Sequence, residues 1–423
     1  MKSVNVIERD DLLMPGYRDR LRLFELRGDP DVNSSHVYME AQIFTPDSKR
    51  FVFHQSAHAH GSDPRDLRHR YLLCEPGDPW VVIPLTDEAG ATAPSLTPDG
   101  RTMYYFVNET VVGGGRLTLK RVNLDRSNRE TLLVIDSPLP GVNAHPSRIY
   151  PLSSIRSDGR RLALAVYLGD GSTANAPWGL MVFNLEKPDV QVIVQGPTWC
   201  NLHPQYCRST DPVALRDIMI QENHGNSCDV NGQYVKLVGG AGADIHLIRD
   251  DGTNLRDFPW CRDGREQCQG HQCWRGQGTR GITSTAGPDG LRLLESQAVP
   301  HTGHEGFKTP GGTWNDLSRL VVKPAYMHFA TDRKGSVMIS DTAPSDEGGR
   351  VVVMELGESG RDPFRHLQVI VHPHTSWEKS THPHPFLSPD GTMGFFNSDE
   401  SGIFRAYGIT GLDRIWSGER RSV

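Results

Sequence analysis

Apolar residues in this chain come in short bursts, each launched by a polar turn rich in Pro, Asp and Gly. The pattern is plainest in L-T-P-D-G-R-T-M-Y-Y-F-V (96–107) and L-S-P-D-G-T-M-G-F-F (387–396). It recurs as F-T-P-D-S-K-R-F-V-F-H (44–54), R-S-D-G-R-R-L-A-L-A-V (156–166) and D-R-K-G-S-V-M-I-S (332–340). Weaker copies are S-T-D-P-V-A-L-R-D-I-M-I (209–220) and G-Q-G-T-R-G-I-T-S (276–284). Pro fixes φ and Asp-Gly supplies the turn residues, so each copy predicts a tight turn followed by an apolar strand.

With turn positions at 48, 100, 159, 212, 278, 335 and 391, the spacings are 52, 59, 53, 66, 57 and 56 residues. A period in the fifties is too long for a short solenoid repeat and suits a four-stranded blade with long connections. The fold predicted is all-β: a single seven-bladed β-propeller of antiparallel four-stranded blades spanning 1–423. Two of the seven copies are drawn in by the spacing, so six and eight blades are the competing counts.

Composition agrees with many short strands and turns: 43 Gly and 29 Pro in 423 residues, with 37% hydrophobic residues. No run reaches the ~18 apolar residues that span a bilayer. The start, M-K-S-V-N-V-I-E-R-D-D, carries charges where a signal peptide needs an apolar run, so a cytoplasmic location is expected and no membrane partner. A net charge of −6, with no basic stretch beyond R-D-L-R-H-R (65–70) and the short tail E-R-R-S-V, argues against nucleic acid.

The chemistry lies in a register. Seven residues before the turn position stand Gln205, His271, His328 and His384 in the last four copies, and Ala41, Ala93 and Leu152 in the first three. Nine before it stand His203 and His382. In a propeller the innermost strands line a central channel, so equal register predicts convergence at one mouth, imidazole-rich on one side and small or apolar on the other. Several neutral imidazoles within reach suit a divalent transition metal. His382 and His384 flank Pro383 in an extended H-x-H whose alternation points both rings the same way.

Other groups are weaker. His54, His58 and His60 read as a solvated loop with the option of lining the mouth from the opposite side. His224, in Q-E-N-H-G, leaves its strand at the same end. Arg208 and Arg275 lie just beyond the register and are candidate anion contacts. His301 and His304 belong to a loop too loose to assign. Six of seven cysteines fall between 200 and 273. The set Cys261, Cys268, His271, Cys273 matches no closed zinc spacing, so thiols are expected, with one or two disulfides as the alternative. No nucleophile elbow, phosphate-binding loop or dinucleotide fingerprint occurs in its proper context, and glycine-rich pieces such as L-V-G-G-A-G-A (237–243) read as blade connections.

H-P-H-P-F-L-S-P-D-G-T-M-G-F-F-N-S-D-E-S-G, preceded by H-T-S-W, resembles the last blade of the oligogalacturonate lyases, polysaccharide lyase family 22. L-H-P-Q-Y-C-R, E-N-H-G, G-H-Q-C-W and Y-M-H-F follow in the family's order, so the resemblance covers roughly 200–410. It implies a cytoplasmic, manganese-binding lyase that cleaves short uronate oligosaccharides by β-elimination. His328, His382 and His384 would be metal ligands and His271 the general base. His203, Gln205, Arg208 and His224 would contact substrate. The family's fourth ligand is a Gln three residues before H-P-H-P, where this chain has Lys379. An ammonium cannot ligate, so Glu378 or water would replace it, and Lys379 would neutralise a substrate carboxylate. Two other readings keep the fold: a TolB- or WD40-like interaction scaffold, and a lyase or metal-dependent epimerase for another uronate glycan.

Overall fold

The computed structural model describes residues 6–62, 65–237, 242–260, 266–301, 311–344 and 349–416. Cys261, His304, most of the glycine-rich run at 237–243, the first five residues and the basic tail lie outside the described residues. Those described form an all-β molecule whose few helical turns are short 3-10 segments.

Small antiparallel sheets follow one another along the chain. The second, for example, runs Ala91–Leu96, Thr102–Val111, Gly114–Asn123, Glu130–Ile135, each strand paired to the next. The last sheet takes Arg22–Leu26 from the start of the chain against Arg405–Thr410, with Val6–Glu8 outside it. Chain ends are thereby tied into one sheet. The innermost strands Ala91–Leu96 and Gln205–Tyr206 both pack on Arg148–Ile155, and Gln267–Trp274 packs on Tyr326–Thr331. This is blade-on-blade packing around an axis, the architecture of a β-propeller.

The turn signature holds the inner ends together. Gly100, Gly159, Gly335 and Gly391 all have positive φ, near +70°, and Ser48 takes the same left-handed conformation without being glycine. Asp47, Asp99, Asp158 and Asp390 each accept a backbone N–H two residues on. The turns also touch in succession. A side chain on Gly100 would meet Pro46 at 2.6 Å, and one on Gly159 would meet Pro98 at 3.3 Å. Ser157 Oγ donates to Ser209 O, Cys207 Sγ lies 3.6 Å from Gly278 O, and Gln277 N donates to Arg333 O. Arg333 N reaches Pro389 O, and Asp390 N reaches Ser48 Oγ at 3.1 Å, so the last turn meets the first.

The two weaker copies deviate. Position 212 is followed by a 3-10 turn, Ala214–Arg216, and in the next copy the left-handed residue is Gly276, not Gly278. Strands nevertheless follow both, Asp217–Asn223 and Gly281–Gly287. The six described cysteines are free and buried.

Candidate functional site

The register position falls on an irregularity of the inner strand. Pairing shifts between Tyr104/Phe106, opposite Ala93; between Ile149/Ser153, around Leu152; between Cys268/Gln272, around His271; and between Tyr326/Phe329, around His328. A bulge leaves its extra residue outside the ladder and re-aims its side chain. His203 and His384 reach a similar end by another route, both holding left-handed backbone (φ 48° and 45°). That conformation is uncommon for a side-chain-bearing residue and here turns an imidazole inward.

Six histidines gather as a result. Ring centroids lie 4.4 Å apart for His271 and His328, 4.2 Å for His328 and His384, and 5.3 Å for His328 and His382. His60 stands 4.8 Å from His384 and 5.4 Å from His382. Tyr38 joins them to His203, with its ring 4.5 Å from His384 and 5.7 Å from His203. The set whose ligand atoms all lie within 4.8 Å of one another is His60, His382 and His384. For His60 the sequence offered a solvated loop, with lining of the mouth as the alternative. The short hairpin Ala57–His58 and Gly61–Ser62 carries it to the mouth with one side still open to solvent, while His54 is buried in Phe51–Gln55 and His58 is exposed.

Partners outside the ring fix the orientations. His328 Nδ1 is bonded to Asp341 Oδ2 at 2.8 Å, and the other oxygen of Asp341 accepts the His328 backbone N–H. His384 Nδ1 contacts Ala59 O at 3.0 Å, which leaves Nε2 buried with no hydrogen-bond partner. The Nδ1 atoms of His271 and His382 are likewise buried and unbonded. His203 Nδ1 lies 2.8 Å from Glu40 Oε2, and Tyr150 OH lies 3.0 Å from the same ring.

Burial favours the neutral form of His60, His271, His328, His382 and His384. Desolvation, reinforced by neighbouring His203 and His382, lowers His271 to about 3. Desolvation with His382, His58 and Lys379 lowers His60 to about 3. His328 and His384 fall well below the usual histidine value for the same reason, and His382 falls with them. Burial pushes Glu40 up against the opposing pull of His203. Neutral rings with unbonded nitrogens facing one another are a donor set that suits a divalent cation. Asp341 behind His328 has the carboxylate–imidazole relation that orients metal ligands.

The remaining expected residues divide. Gln205 is buried, donating to Gln272 O at 2.8 Å. Lys379 is exposed and lowers His60 and His382 by its charge. His224 is half-buried and bonded to Asp244 at 2.8 Å, which raises its pKa. Arg208 points to the turn end of the channel, lining a cavity of about 390 Å³ with Ile43, Phe44, Ile155 and Phe386. Arg275, expected to meet an anionic ligand, is the clear correction. It is buried against Glu295 (3.0 Å) and donates to Gly335 O and Gly357 O, so its guanidinium is committed to protein groups. Among the described residues, no ligand set gathers Cys268, His271 and Cys273. Sequence reasoning missed Tyr38, Glu40, Tyr150 and Asp341, and only Asp341, closing the strand after the His328 turn, had a positional signal.

No family model matches the chain. Two curated proteins do. It is 24% identical over 194 residues to an oligogalacturonide lyase of Pectobacterium atrosepticum, covering 41% of this chain and 45% of that protein. It is 26% identical over 194 residues to an oligogalacturonate lyase of Dickeya dadantii, covering 41% and 44%. The chain is related to the oligogalacturonate lyases. The matched stretch spans less than half the length of these relatives. In shape the likeness is chain-wide: a solved oligogalacturonate lyase in complex with manganese superposes with a TM-score of 0.69 at 18% identity, covering 98% of each chain. The oligogalacturonate lyase of Vibrio parahaemolyticus gives 0.67 at 18% identity, covering 96% and 97%. Among the described residues, no helix is long and apolar enough to cross a membrane.

Proposed function

We propose that this protein is a carbon–oxygen lyase that cleaves short uronate oligosaccharides, oligogalacturonate-like, by metal-assisted β-elimination at the histidine-rich mouth. The observation that carries the reading is the convergence of His60, His382 and His384 within 4.8 Å, with His271 and His328 beside them, in a relative of such lyases. The propeller is read as seven-bladed, its nine-stranded sheet being two blades joined at Ala243↔Cys268 and by the short pairing of Arg256–Asp257 with Val299–Pro300.

His60, His328, His382 and His384 would hold the cation, manganese by analogy with the solved relative. The side chain of His60 supplies the donor that Lys379 cannot. When bound, a divalent cation would offset charge developing on the uronate carboxylate. Lys379 and His203 would bind and orient the anionic sugar, with Gln205 held by Gln272 O and His224 at the rim. Arg208, at the turn end of the channel, would act on the mouth only through its field on Glu40.

His271 is the base in this reading. The hydrogen at C5 is acidic because it is α to the carboxylate. Its proton passes to the free imidazole nitrogen, the C4–O bond breaks, a C4=C5 double bond forms, and the departing oxygen takes a proton from solvent. His271 is neutral in the free protein, and an entering carboxylate raises its pKa toward the working range. The test is incubation with a panel of uronate oligosaccharides while following ultraviolet absorbance of the unsaturated product. His271→Ala is expected to lose ~10²–10⁴-fold in rate with the fold intact. Full activity in that variant removes His271 from the role, and absorbance with no member of the panel removes the reaction. Solvent-deuterium uptake at C5 without absorbance would identify an epimerase instead.

A further inference from the structure

A second convergence of metal-ligating side chains lies outside the mouth, in the nine-stranded sheet. His246, in Ala243–Arg249, is the cross-strand partner of Asp257, in Arg256–Asp257. Asp257 in turn pairs with Val299, two residues before His301. Backbone pairing thus fixes three donors from separate segments. His246 Nδ1 and His301 Nδ1 each lie 2.8 Å from the same oxygen, Asp257 Oδ1. The three ligand atoms all fall within 4.8 Å of one another. His246 and Asp257 are fully buried, and His301 is half-buried.

The surroundings have the order expected around a bound cation. Glu222 Oε2 stands 3.4 Å from His246 Nε2, on the far side of the ring from Asp257, and its other oxygen accepts from Thr198 Oγ1. A ligating imidazole commonly gives its second nitrogen to a carboxylate, which fixes the tautomer and ring orientation. The ring of Trp199, 5.5 Å from that of His246, closes one side. Ligand bonds of ~2.0–2.1 Å put tetrahedral donors roughly 3.3 Å apart, within a small adjustment of the spacing here. Among the described residues, the ring contacts of His246 and His301 are with Trp199 and with each other, not with a mouth histidine.

We propose that His246, Asp257 and His301 form a second site for a borderline divalent cation of the zinc class, separate from the mouth. Two imidazoles and one carboxylate make three protein ligands, with Glu222 as the outer carboxylate that orients His246. The cation clamps the Arg256–Asp257 strand and His301, next to Val299–Pro300, to the sheet. This site does not depend on the lyase reading.

The test is metal counting on the full-length protein, stripped with chelator, reloaded with zinc chloride alone and freed of excess by gel filtration. His301→Ala is expected to bind one equivalent fewer than the wild type. A His382→Ala/His384→Ala double variant is expected to retain the equivalent that His301→Ala loses, and zinc should still raise its melting temperature. Equal zinc content in wild type and His301→Ala overturns the proposal, as does a double variant that zinc neither loads nor stabilises. If the mouth takes no metal, the wild type binds one equivalent, and only its loss in His301→Ala keeps this site. Circular dichroism on each variant guards against loss by unfolding, and Asp257→Asn, which keeps size and hydrogen bonding, provides the second variant.

Discussion

His60 and His384 stand edge to face, ring centroids 4.8 Å apart and planes 78° to one another, although one lies in a hairpin inserted into the first blade's sequence and the other in the segment leading into the last sheet. The chain closes on itself by pairing Arg22–Leu26 with Arg405–Thr410, which makes the first blade and the last sheet neighbours. Ala59, beside His60, also accepts the His384 Nδ1 contact, which leaves Nε2 of His384 free.

If His60 is a metal ligand, its removal should be felt as metal affinity. His60→Ala is expected to weaken manganese binding by at least about tenfold, whereas His366→Ala, on an exposed outer strand, should leave it unchanged. Isothermal titration on the stripped protein measures both. Equal affinities in wild type and His60→Ala would return the mouth to a His328/His382/His384 set.

Lys379 is the counterweight. Its charge lowers both His60 and His382, so it opposes a cation held by them. Lys379→Gln removes that repulsion and introduces a neutral oxygen donor at the position where the family has Gln. Manganese affinity is expected to rise on the order of tenfold, while KM for a uronate oligosaccharide rises too because the sugar carboxylate loses a partner. A variant with tighter metal and unchanged KM would assign Lys379 no part in substrate binding.

How much of this was legible in the sequence depends on which residues the backbone controls. Positions 48, 100, 159, 335 and 391 all hold left-handed backbone, a local property that follows a Pro-Asp or Ser-Asp pair at 48, 100, 159 and 391 and rests on the glycine itself at 335. The weaker copies at 212 and 278 keep their strands but not their turn geometry: position 212 is a proline, whose ring forbids positive φ, and in the other copy Gly276 takes the left-handed place instead of Gly278. The inward aim of His271 and His328 follows from register because both lie in irregular pairing of the inner strand. His60 stayed open between a solvated loop and the mouth because its hairpin is outside the repeat and its aim depends on ring closure. Arg275 misled because a side chain's burial against Glu295, from another strand of its own sheet, leaves no mark on sequence spacing.

The pH dependence of kcat/KM should carry the signature of a crowded, neutral base. His271 must be unprotonated to accept the C5 proton, and in the free protein it is lowered to about 3 by desolvation and by His203 and His382. Activity on the acid side is lost only as pH falls through that lowered value, not through the ordinary histidine value near ~6.5. The profile of kcat/KM, which reports the free enzyme, is therefore expected to stay flat from neutrality down to about pH 5. An acid limb centred near ~6.5 would mean that the base is a solvated imidazole and not His271 in this packing.

Arg275 separates structure from chemistry. Its guanidinium bonds Glu295 at 3.0 Å, Gly335 O and Gly357 O, and Glu295 is fully buried. Arg280, Ser359 Oγ and Gly360 N complete the carboxylate's shell and hold its pKa down together with Arg275. Arg275→Ala strips one cation from a buried carboxylate and vacates the space against Gly335, where any added atom would now meet the Arg275 side chain at 2.8 Å. Breaking a buried pair from one side costs ~3–5 kcal/mol, and Arg280 remains to limit the loss, so about 3 kcal/mol is expected by denaturant unfolding. Because the guanidinium bonds only protein groups, the variant that remains folded should keep its kcat and KM. A large rise in KM at unchanged stability would put Arg275 back at the substrate and contradict the burial that defines its place in the fold.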